Sequence, residues 1–251
     1  ARALQPAPAR TLRRAADARR EGCLGPLPPG GFPCTYSDLG YMLLGAALAE
    51  RTGGPTDAAV VREIARPLGL RIGSARQLAG AAQTVDDYFR QVAPTEVVPW
   101  RGGLVHGVVH DENAWVLAGG GMAGHAGAFG DAPSVVALGI ALVDALAGRR
   151  CDWLTAAEVL ELVRPRPGGS HAAGFDRRSG PRPSSGELFG PSTFGHLGFT
   201  GTSLWIDPDR ELVGVLLCNR VHPSRRNEAI RAARPDVYDR IFRAMVEERA
   251  T

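Results

Sequence analysis

The 251-residue sequence predicts an α+β fold, in which an antiparallel sheet is flanked by helices and accompanied by a mainly helical part. Three observations lead to this prediction. Apolar residues recur at helical spacing in the first part of the chain, two short apolar runs joined by a Pro208-Asp209 turn indicate a β-hairpin, and helical spacing returns after Pro235. Apolar residues make up 44% of the chain, which is enough for a buried core.

The first helix is predicted over residues 36–51. Ser37 or Asp38 can cap its N-terminus, and the Gly53-Gly54 pair ends it. Its apolar stripe has the spacing of a helix with one buried face, and comprises Leu39, Met42, Leu43, Ala46 and Ala47.

Three further helices are predicted before the hairpin, over about 56–64, 131–147 and 155–164, and the last of these opens with a capping box. Two long segments are expected to be loops. Residues 101–130 are rich in glycine and histidine, and residues 166–192 are rich in Gly, Pro, Ser and Arg.

The predicted hairpin has arms over 202–207 and 211–218. The second arm is apolar on both faces, so helices are expected to cover it on each side. Pro235 suits the first turn of a last helix, whose core face is predicted to carry Val237, Ile241, Phe242, Met245 and Val246.

These elements suggest a division of the chain into three parts. Residues 1–34 read as a connecting segment, residues 35–165 as a mainly helical subdomain, and residues 166–251 as the loop, hairpin and C-terminal helix of the sheet subdomain.

The charged residues exclude several functions. All 29 basic residues are arginine, so no mechanism that needs a lysine amine is complete within this sequence. The net charge is only +3 and the arginines are dispersed among acids, which argues against nucleic-acid binding.

Four widely separated cysteines indicate neither a zinc site nor a disulfide framework. No apolar stretch is long enough for a transmembrane segment, and no signal peptide is visible.

Two motifs suggest a nucleotide site and a metal site, but neither site is predicted. Gly119–Gly124 satisfies G-x-G-x-x-G, but a segment of poor helix formers follows, so nucleotide binding is not predicted. His106 and His110 are four residues apart, yet nearby glycines oppose a helix that would place both imidazoles on one face. Structural hydrogen bonding is therefore favoured over a metal site, and no cofactor is indicated.

Two other segments are more informative. Tyr36-Ser37-Asp38 places a phenol at the N-terminus of a helix. The phenol is either a packing residue or a proton carrier, and it can act as a base only where cationic neighbours lower its pKa. Gly195–Thr202 has glycines at intervals and leads into a strand. These glycines either let a substrate reach the backbone N–H groups or make the strand thin for packing.

Together these segments resemble the serine β-lactamase and penicillin-binding-protein superfamily, in its class C and esterase-like branch. Tyr36-Ser37-Asp38 is similar to the Tyr-x-Asn element, with aspartate in place of asparagine. His196-Leu197-Gly198 is similar to the K-T-G or H-x-G triad at the sheet edge. The resemblance runs from about Pro28 to Pro223, with the motifs in the family's order. Further similar segments are Pro67–Leu70, Val109–Ala114, Gly124–Gly127 and Asn219–Pro223.

One departure from the family is fundamental. The S-x-x-K motif, which supplies the nucleophile and its base, is absent because the sequence has no lysine. The resemblance therefore implies an N-terminally truncated hydrolase, inactive as it stands, that lacks the first strands and the nucleophile helix. The alternative is a full-length protein without catalytic activity.

The resemblance also implies roles for individual residues. The predicted catalytic residues are Tyr36, as a proton carrier, and His196, in place of the triad's lysine. The N–H of Phe199 would be one donor to an oxyanion, and Asp38 would contact substrate and disfavour carboxylates. The predicted substrate-binding residues are Asp38, Gly198, Phe199 and Thr200.

The implied function is a serine hydrolase that forms an acyl-enzyme with a small ester, amide or D-amino-acid-type peptide. Leu197 stands where a hydroxyl residue helps to bind a β-lactam carboxylate, which favours esters or peptides over penicillins. The alternative is a non-catalytic protein that binds a cell-wall peptide or a partner. No nucleic acid and no cofactor are expected. The oligomeric state is left open. The compartment is also left open, and the candidates are the cell envelope or periplasm and the cytoplasm of a bacterium.

Overall fold

The computed structural model describes residues 25–149 and 152–250, which form two compact units. The first unit contains Tyr36–Gly130 together with Phe32 and the described residues before it. The second contains Pro33–Thr35 and the described residues from Asp131 onward. Helices and short antiparallel strands occur in both units, so the predicted α+β class is confirmed. The predicted three-part division of the chain stays a prediction.

The first unit is mainly helical. Its helices are α1 (Asp38–Thr52), α2 (Thr56–Val60, continued by a π-helical turn over Val61–Ala65), α3 (Ala75–Ala81), α4 (Val85–Gln91) and α5 (Glu112–Ala118). Its strands are β1 (Ile72–Ser74), β2 (Val97–Val98), β3 (Gly103–Leu104) and β4 (Ala128–Gly130), paired antiparallel as β1 with β4 and β2 with β3.

Helix α1 begins and ends as the sequence predicts. The Ser37 side chain accepts a hydrogen bond from the N–H of Gly40, and Gly53 ends the helix in the left-handed conformation with φ 67°. The predicted apolar stripe is wrong in part, because Leu39 is 43% exposed and Met42 and Gly45 are the buried residues. The helix packs instead through the face that carries Met42 and Gly45.

Close packing of glycines explains which face of α1 is buried. A Cβ at Gly45 would lie 2.6 Å from the backbone N of Gly124, and a Cβ at Gly124 would lie 1.9 Å from the carbonyl oxygen of Tyr41. The loop that contains Gly124 therefore lies directly on the backbone of α1, where no side chain larger than hydrogen fits. An apolar count along the helix cannot reveal such a contact.

The predicted loop over 101–130 contains regular structure that the sequence analysis missed. Helix α5 begins there, because the Asp111 side chain accepts a hydrogen bond from the N–H of Ala114. Gly119 follows this helix as its C-cap. The G-x-G-x-x-G match thus begins at the end of a helix and does not follow a strand, as a dinucleotide site requires.

The second unit is built on a four-stranded antiparallel sheet. Its strands are β5 (Asp176–Arg177), β6 (Phe194–Leu197), β7 (Ser203–Asp207) and β8 (Leu212–Leu216), in the order β5-β6-β7-β8. Its helices are α6 (Ala132–Leu146), α7 (Ala156–Val163) and α8 (Ile230–Ala250). The predicted capping box of α7 is present, formed by Thr155 and Glu158.

The predicted hairpin and its two helical covers are confirmed. Strands β7 and β8 pair from Ser203 opposite Leu216 to Asp207 opposite Leu212. Gly139 of α6 lies so close to Val213 that an added Cβ would be 2.5 Å from its Cγ1, whereas Gly214 lies against the ring of Tyr238 of α8. Because Val213 and Gly214 are neighbours on a strand, the two helices cover opposite faces of β8.

The last helix begins earlier than predicted. Helix α8 starts at Ile230, so Pro235 lies inside it and not in its first turn. The reason is a preceding turn, in which the N–H groups of Arg231 and Ala233 already bond to the carbonyls of Glu228 and Ala229. Its buried residues are Arg234, Pro235 and Tyr238, whereas Met245 and Val246 of the predicted core face are exposed.

Two buried clusters hold the second unit together, one on each side of the sheet. The first is centred on Phe194 and Ile206 and includes residues of α6 and α7. The second comprises Phe189, Trp205, Leu212 and Tyr238. Among the described helices, none combines the length and the apolar character needed to cross a membrane.

Candidate active site

The first group of predicted site residues lies at the start of α1, in the first unit. Tyr36 immediately precedes the capping Ser37, and its ring centroid lies 6.2 Å from that of Tyr41. Its side chain is 49% exposed. Asp38 is the first residue of the helix, where the macrodipole stabilises a carboxylate, and it lies close enough to Tyr36 to raise the pKa of the phenol.

The surroundings of Tyr36 favour its protonated form. Partial burial raises the pKa of the phenol, and the charges of Asp38, Tyr41 and Asp111 and the hydrogen bond to Asp38 raise it further. The three neighbours that raise this pKa are groups that become negatively charged when they ionise. A phenol that acts as a base would need cationic neighbours in their place. Within the first unit, Tyr36 is therefore set up to donate a proton at neutral pH.

A buried histidine, His125, pairs with the carboxylate of Asp111 in the loops of the same unit. The Nε2 atom of His125 is 2.8 Å from Oδ1 of Asp111, and the His125 side chain is buried. Burial alone would raise the pKa of Asp111, but the hydrogen bonds from His125 and from the N–H of Ala114 outweigh it, so this pKa is lowered. This contact joins two segments that the sequence analysis singled out, Val109–Ala114 and Gly124–Gly127.

His106 and His110 make structural hydrogen bonds. The Nε2 atom of His106 is 2.7 Å from the carbonyl oxygen of Val92, and Nδ1 of His110 is 3.0 Å from Oγ1 of Thr95. In the part of the chain that the structure describes, no three histidine, cysteine or acidic side chains are grouped as metal ligands would be.

The second group of predicted site residues lies on β6 and the turn after it, in the second unit. His196 is half-buried on β6, and its Nδ1 lies 2.9 Å from the carbonyl oxygen of Leu197. Because a carbonyl only accepts, Nδ1 carries the proton, and the neutral ring then has its lone pair on Nε2. Burial lowers the pKa of His196, which outweighs the opposing effect of the Leu197 hydrogen bond.

Two neighbours of His196 were missed by the sequence analysis. The ring of His171 lies edge-on to the ring of His196, with 6.1 Å between the centroids, and Nδ1 of His171 is 3.7 Å from Oδ1 of Asp176. The charge of His171 lowers the pKa of His196 and that of Asp176 raises it. Both belong to the Gly- and Pro-rich segment, where a histidine and an acid five residues apart were the only signal.

The turn Gly198–Thr202 follows β6 directly. It is closed by bonds from the N–H of Gly198 to the carbonyl of Thr202, at 2.8 Å, and from the N–H of Gly201 to the carbonyl of Gly198, at 3.1 Å. Gly201 has φ 121°, a conformation that side chains oppose, and an added Cβ would lie 2.6 Å from Sγ of Cys218. Gly195 lies still closer to its neighbour, since an added Cβ would be 2.0 Å from the carbonyl oxygen of Leu204 in β7. Tight packing therefore accounts for these glycines.

Phe199 projects from this turn between two arginines. Its side chain is 56% exposed, and the guanidinium carbons of Arg220 and Arg225 lie 4.6 Å and 5.6 Å from its ring centroid. Thr200, the next predicted site residue, is half-buried in the same turn. The second unit thus brings four predicted site residues together: His196, Gly198, Phe199 and Thr200.

Comparisons with known proteins identify the family of the chain. The profile of the Beta-lactamase family matches residues 10–237 of the chain. A Salmonella gallinarum protein, provisionally named D-alanyl-D-alanine carboxypeptidase, is 31% identical over 209 residues, which are 78% of this chain and 47% of that protein. The chain therefore spans about half the length of this curated relative.

Solved structures show the same fold. A penicillin-binding-protein homologue from Caulobacter crescentus aligns with 85% of this chain and 60% of its own, at 19% identity and a TM-score of 0.52. The hydrolase EstCE1, described as having promiscuous acyltransferase activity, aligns with 78% of this chain and 54% of its own, at 22% identity and a TM-score of 0.51. The chain belongs to the Beta-lactamase family, and its fold is that of the family's serine hydrolases.

Proposed function

We propose that this chain is part of a serine hydrolase that transfers the acyl group of an ester or a D-amino-acid-type peptide first to a serine and then to water. Family membership and the relative's provisional name support this reaction class. The observation that carries the proposal is the Gly198–Thr202 turn, which continues the strand of His196 and presents the exposed Phe199. This is the position from which a backbone N–H can stabilise an oxyanion.

We further propose that the nucleophilic serine and its base lie outside these 251 residues. The family's nucleophile motif contains a lysine, and this sequence has none. The chain also spans only 47% of its curated relative.

In the proposed acylation step, the serine Oγ bonds to the substrate carbonyl carbon and its proton passes to the base. The carbonyl oxygen becomes an oxyanion that accepts a hydrogen bond from the N–H of Phe199. When the tetrahedral intermediate collapses, the bond to the leaving group breaks and Tyr36 donates its proton to that group. The proton first taken from serine then restores the phenol. The raised pKa of Tyr36 suits this donor role, because the phenol is protonated at neutral pH.

In the proposed deacylation step, water adds to the acyl carbon and one of its protons passes to the base. The ester bond to serine then breaks, the serine oxygen takes up a proton, and the free acid leaves. His196 is neutral beside this chemistry because its pKa is lowered. It therefore adds no positive charge where the related triads carry a lysine.

Kinetics of the complete gene product test the proposal. With a short-chain alkyl ester, whose alkoxide leaving group needs a proton, we expect Tyr36→Phe to lower kcat by about 10²- to 10⁴-fold with little change in KM, because proton transfer is lost and binding is kept. Tyr41→Phe is the matched control, since it removes a hydroxyl from the neighbouring ring and should leave kcat unchanged. Equal turnover by Tyr36→Phe would remove the phenol from the mechanism.

A non-catalytic protein that binds a cell-wall peptide is the second candidate. The absence of lysine from the sequence favours it, because the nucleophile motif is then missing. The same kinetics separate the two candidates. A binding protein in its complete form would bind a peptide ending in D-alanine and turn over neither ester nor peptide.

A further inference from the structure

The carbonyl groups of the Gly198–Thr202 turn point at side chains that follow β8 in the chain. Arg234 Nη2 donates to the carbonyl oxygens of Gly198, at 3.1 Å, and Thr202, at 3.2 Å. Arg220 Nε donates to the carbonyl oxygen of Phe199 at 2.9 Å. The Cys218 thiol lies 3.2 Å from the carbonyl oxygen of Gly201. Two guanidinium groups and one thiol thus hold four carbonyls of one short turn.

Arg234 is an unusual residue to find in this place. It is 92% buried in the second unit, its Nε has no hydrogen-bond partner among the described residues, and burial lowers its pKa. The groups whose charge affects it are Cys218, Tyr238 and Arg220, and no carboxylate of the described chain is among them. A buried charge without a counter-ion is costly unless it is hydrogen-bonded. Its two bonds to the turn are the observed compensation.

Fixing these carbonyls also fixes the N–H groups of the turn. A trans peptide is planar, and its C=O and N–H point in opposite directions. When Arg234 holds the carbonyl of Gly198, the N–H of Phe199 must therefore point away from Arg234. In the same way, the bond from Arg220 to the carbonyl of Phe199 orients the N–H of Thr200. Charged donors also polarise these peptide groups and make their N–H groups stronger donors.

We propose that Arg234 and Arg220 are positioning residues. Their bonds to the carbonyl groups of the Gly198–Thr202 turn form a clamp, which orients the N–H of Phe199 toward the oxyanion. The proposal rests on the proposed hydrolase function, because that function supplies the oxyanion. It adds residues outside the Tyr-x-Asn-like and H-x-G-like segments. The clamp acts on the chemical step and not on substrate binding, because the oxyanion develops only in the tetrahedral intermediate and the transition states that flank it.

Kinetics of the complete gene product with a p-nitrophenyl ester give the first test. We expect Arg234→Met to lower kcat about 10²-fold while KM changes less than threefold, because the N–H is displaced and the binding surface is kept. Arg234→Lys should recover part of kcat, since an ammonium can reach one carbonyl. Arg231→Met is the control, because Arg231 lies on the same helix, is exposed and pairs with Glu228.

A boronic acid that mimics the tetrahedral intermediate gives a readout that general destabilisation does not move. We expect its inhibition constant to rise for Arg234→Met by about the factor by which kcat falls, at unchanged KM. Unchanged boronate affinity, or a fall in kcat shared by Arg231→Met, overturns the clamp. Should Arg234→Met fail to fold, Arg220→Met tests the same turn, since Arg220 is only partly buried; wild-type kcat in that variant overturns its role.

Amide hydrogen exchange separates failure of the clamp from failure of the proposed function. If the wild-type protein hydrolyses neither an ester nor a D-amino-acid-type peptide, the proposed function is wrong. The exchange rates of the Gly198 and Gly201 amides, whose N–H groups close the turn, still report on the clamp. We expect these amides to exchange at least tenfold faster in Arg234→Met and Arg220→Met than in wild type or Arg231→Met. Equal rates in all four proteins overturn the clamp.

Discussion

The ring of His171 stands edge-on to the ring of His196, with the centroids 6.1 Å apart and the planes inclined at 73°. Oδ1 of Asp176 lies 3.7 Å from Nδ1 of His171. A second histidine and an acid therefore surround the histidine that stands where related triads have a lysine. The pair makes the charge of His196 sensitive to its neighbours, which can be measured directly.

Replacing His171 should raise the pKa of His196. Burial lowers that pKa most and the charge of His171 lowers it further, so His171→Phe removes one lowering effect while keeping an aromatic contact. Asp176→Asn should shift the pKa the other way, because it removes a negative charge that favours the imidazolium. NMR titration of His196 in both variants measures the two shifts. Shifts of the same sign in both variants would contradict this account.

The pH dependence of stability follows from the same group. The pKa of His196 is lowered on folding from a reference value of 6.5, so below about pH 6.5 the unfolded chain binds this proton more readily than the folded one. The contribution of His196 to the free energy of unfolding is therefore complete above that pH and is lost as the pH falls. His196→Asn should flatten this part of the stability curve, measured by urea unfolding. An unchanged slope would show that the ring is solvated.

Asp38→Asn should lower the pKa of Tyr36. The carboxylate raises this pKa both through its charge and through its hydrogen bond, and an amide removes the charge. Ultraviolet titration of the phenol, with Tyr36→Phe subtracted, measures the change. Asp86→Asn is the matched control, because Asp86 is an exposed acid of the same unit and does not contribute to the pKa of Tyr36. A fall in pKa of the same size in the control would point to a general field effect.

Glycine substitutions in α1 should have opposite effects. Gly45→Ala places a Cβ 2.6 Å from the backbone of Gly124, so we expect a loss of about 1–3 kcal/mol in the free energy of unfolding. Gly40→Ala meets nothing closer than 4.0 Å, and a helical alanine should add about 0.5–1 kcal/mol. Chemical denaturation of the complete gene product compares them. Stabilisation by both would show that α1 does not lie against the loop of Gly124.

Leu197 should make the protein prefer esters to β-lactams. A leucine cannot donate a hydrogen bond to the carboxylate of a penicillin-like substrate, so we expect kcat/KM for nitrocefin to fall well below that for a p-nitrophenyl ester. Leu197→Thr should narrow the gap by restoring a hydroxyl. A wild-type protein that hydrolyses nitrocefin faster than the ester would contradict this interpretation.

The sequence predicts the elements whose signals are local. Ser37 and Gly53 delimit α1, the Thr155–Glu158 capping box begins α7, and the Pro208-Asp209 turn joins β7 to β8, because each depends on residues within a few positions. The apolar run of β8 also predicted its two helical covers correctly. Local chemistry therefore determines these elements.

What the sequence did not predict depends on contacts between distant segments. The buried face of α1 is decided by Gly45 meeting Gly124, and apolar periodicity contains no trace of that pairing. The clamp on the Gly198–Thr202 turn comes from Arg220 and Arg234. Arg220 lies in the family-like segment Asn219–Pro223, but nothing in that segment predicts its bond to the turn, and Arg234 looks like any other arginine in a chain that has 29 of them. His171 is hidden in the same way. Each becomes visible only when the fold brings the segments together.

The central claim is that a serine from outside these residues reacts beside the Gly198–Thr202 turn. The most direct test treats the complete gene product with a fluorophosphonate probe and identifies the labelled peptide by mass spectrometry. We expect one labelled serine, in an S-x-x-K sequence outside the 251 residues, and no labelling of the 251-residue chain alone. A label on a serine within these residues, or no label on an intact and folded protein, would contradict the account.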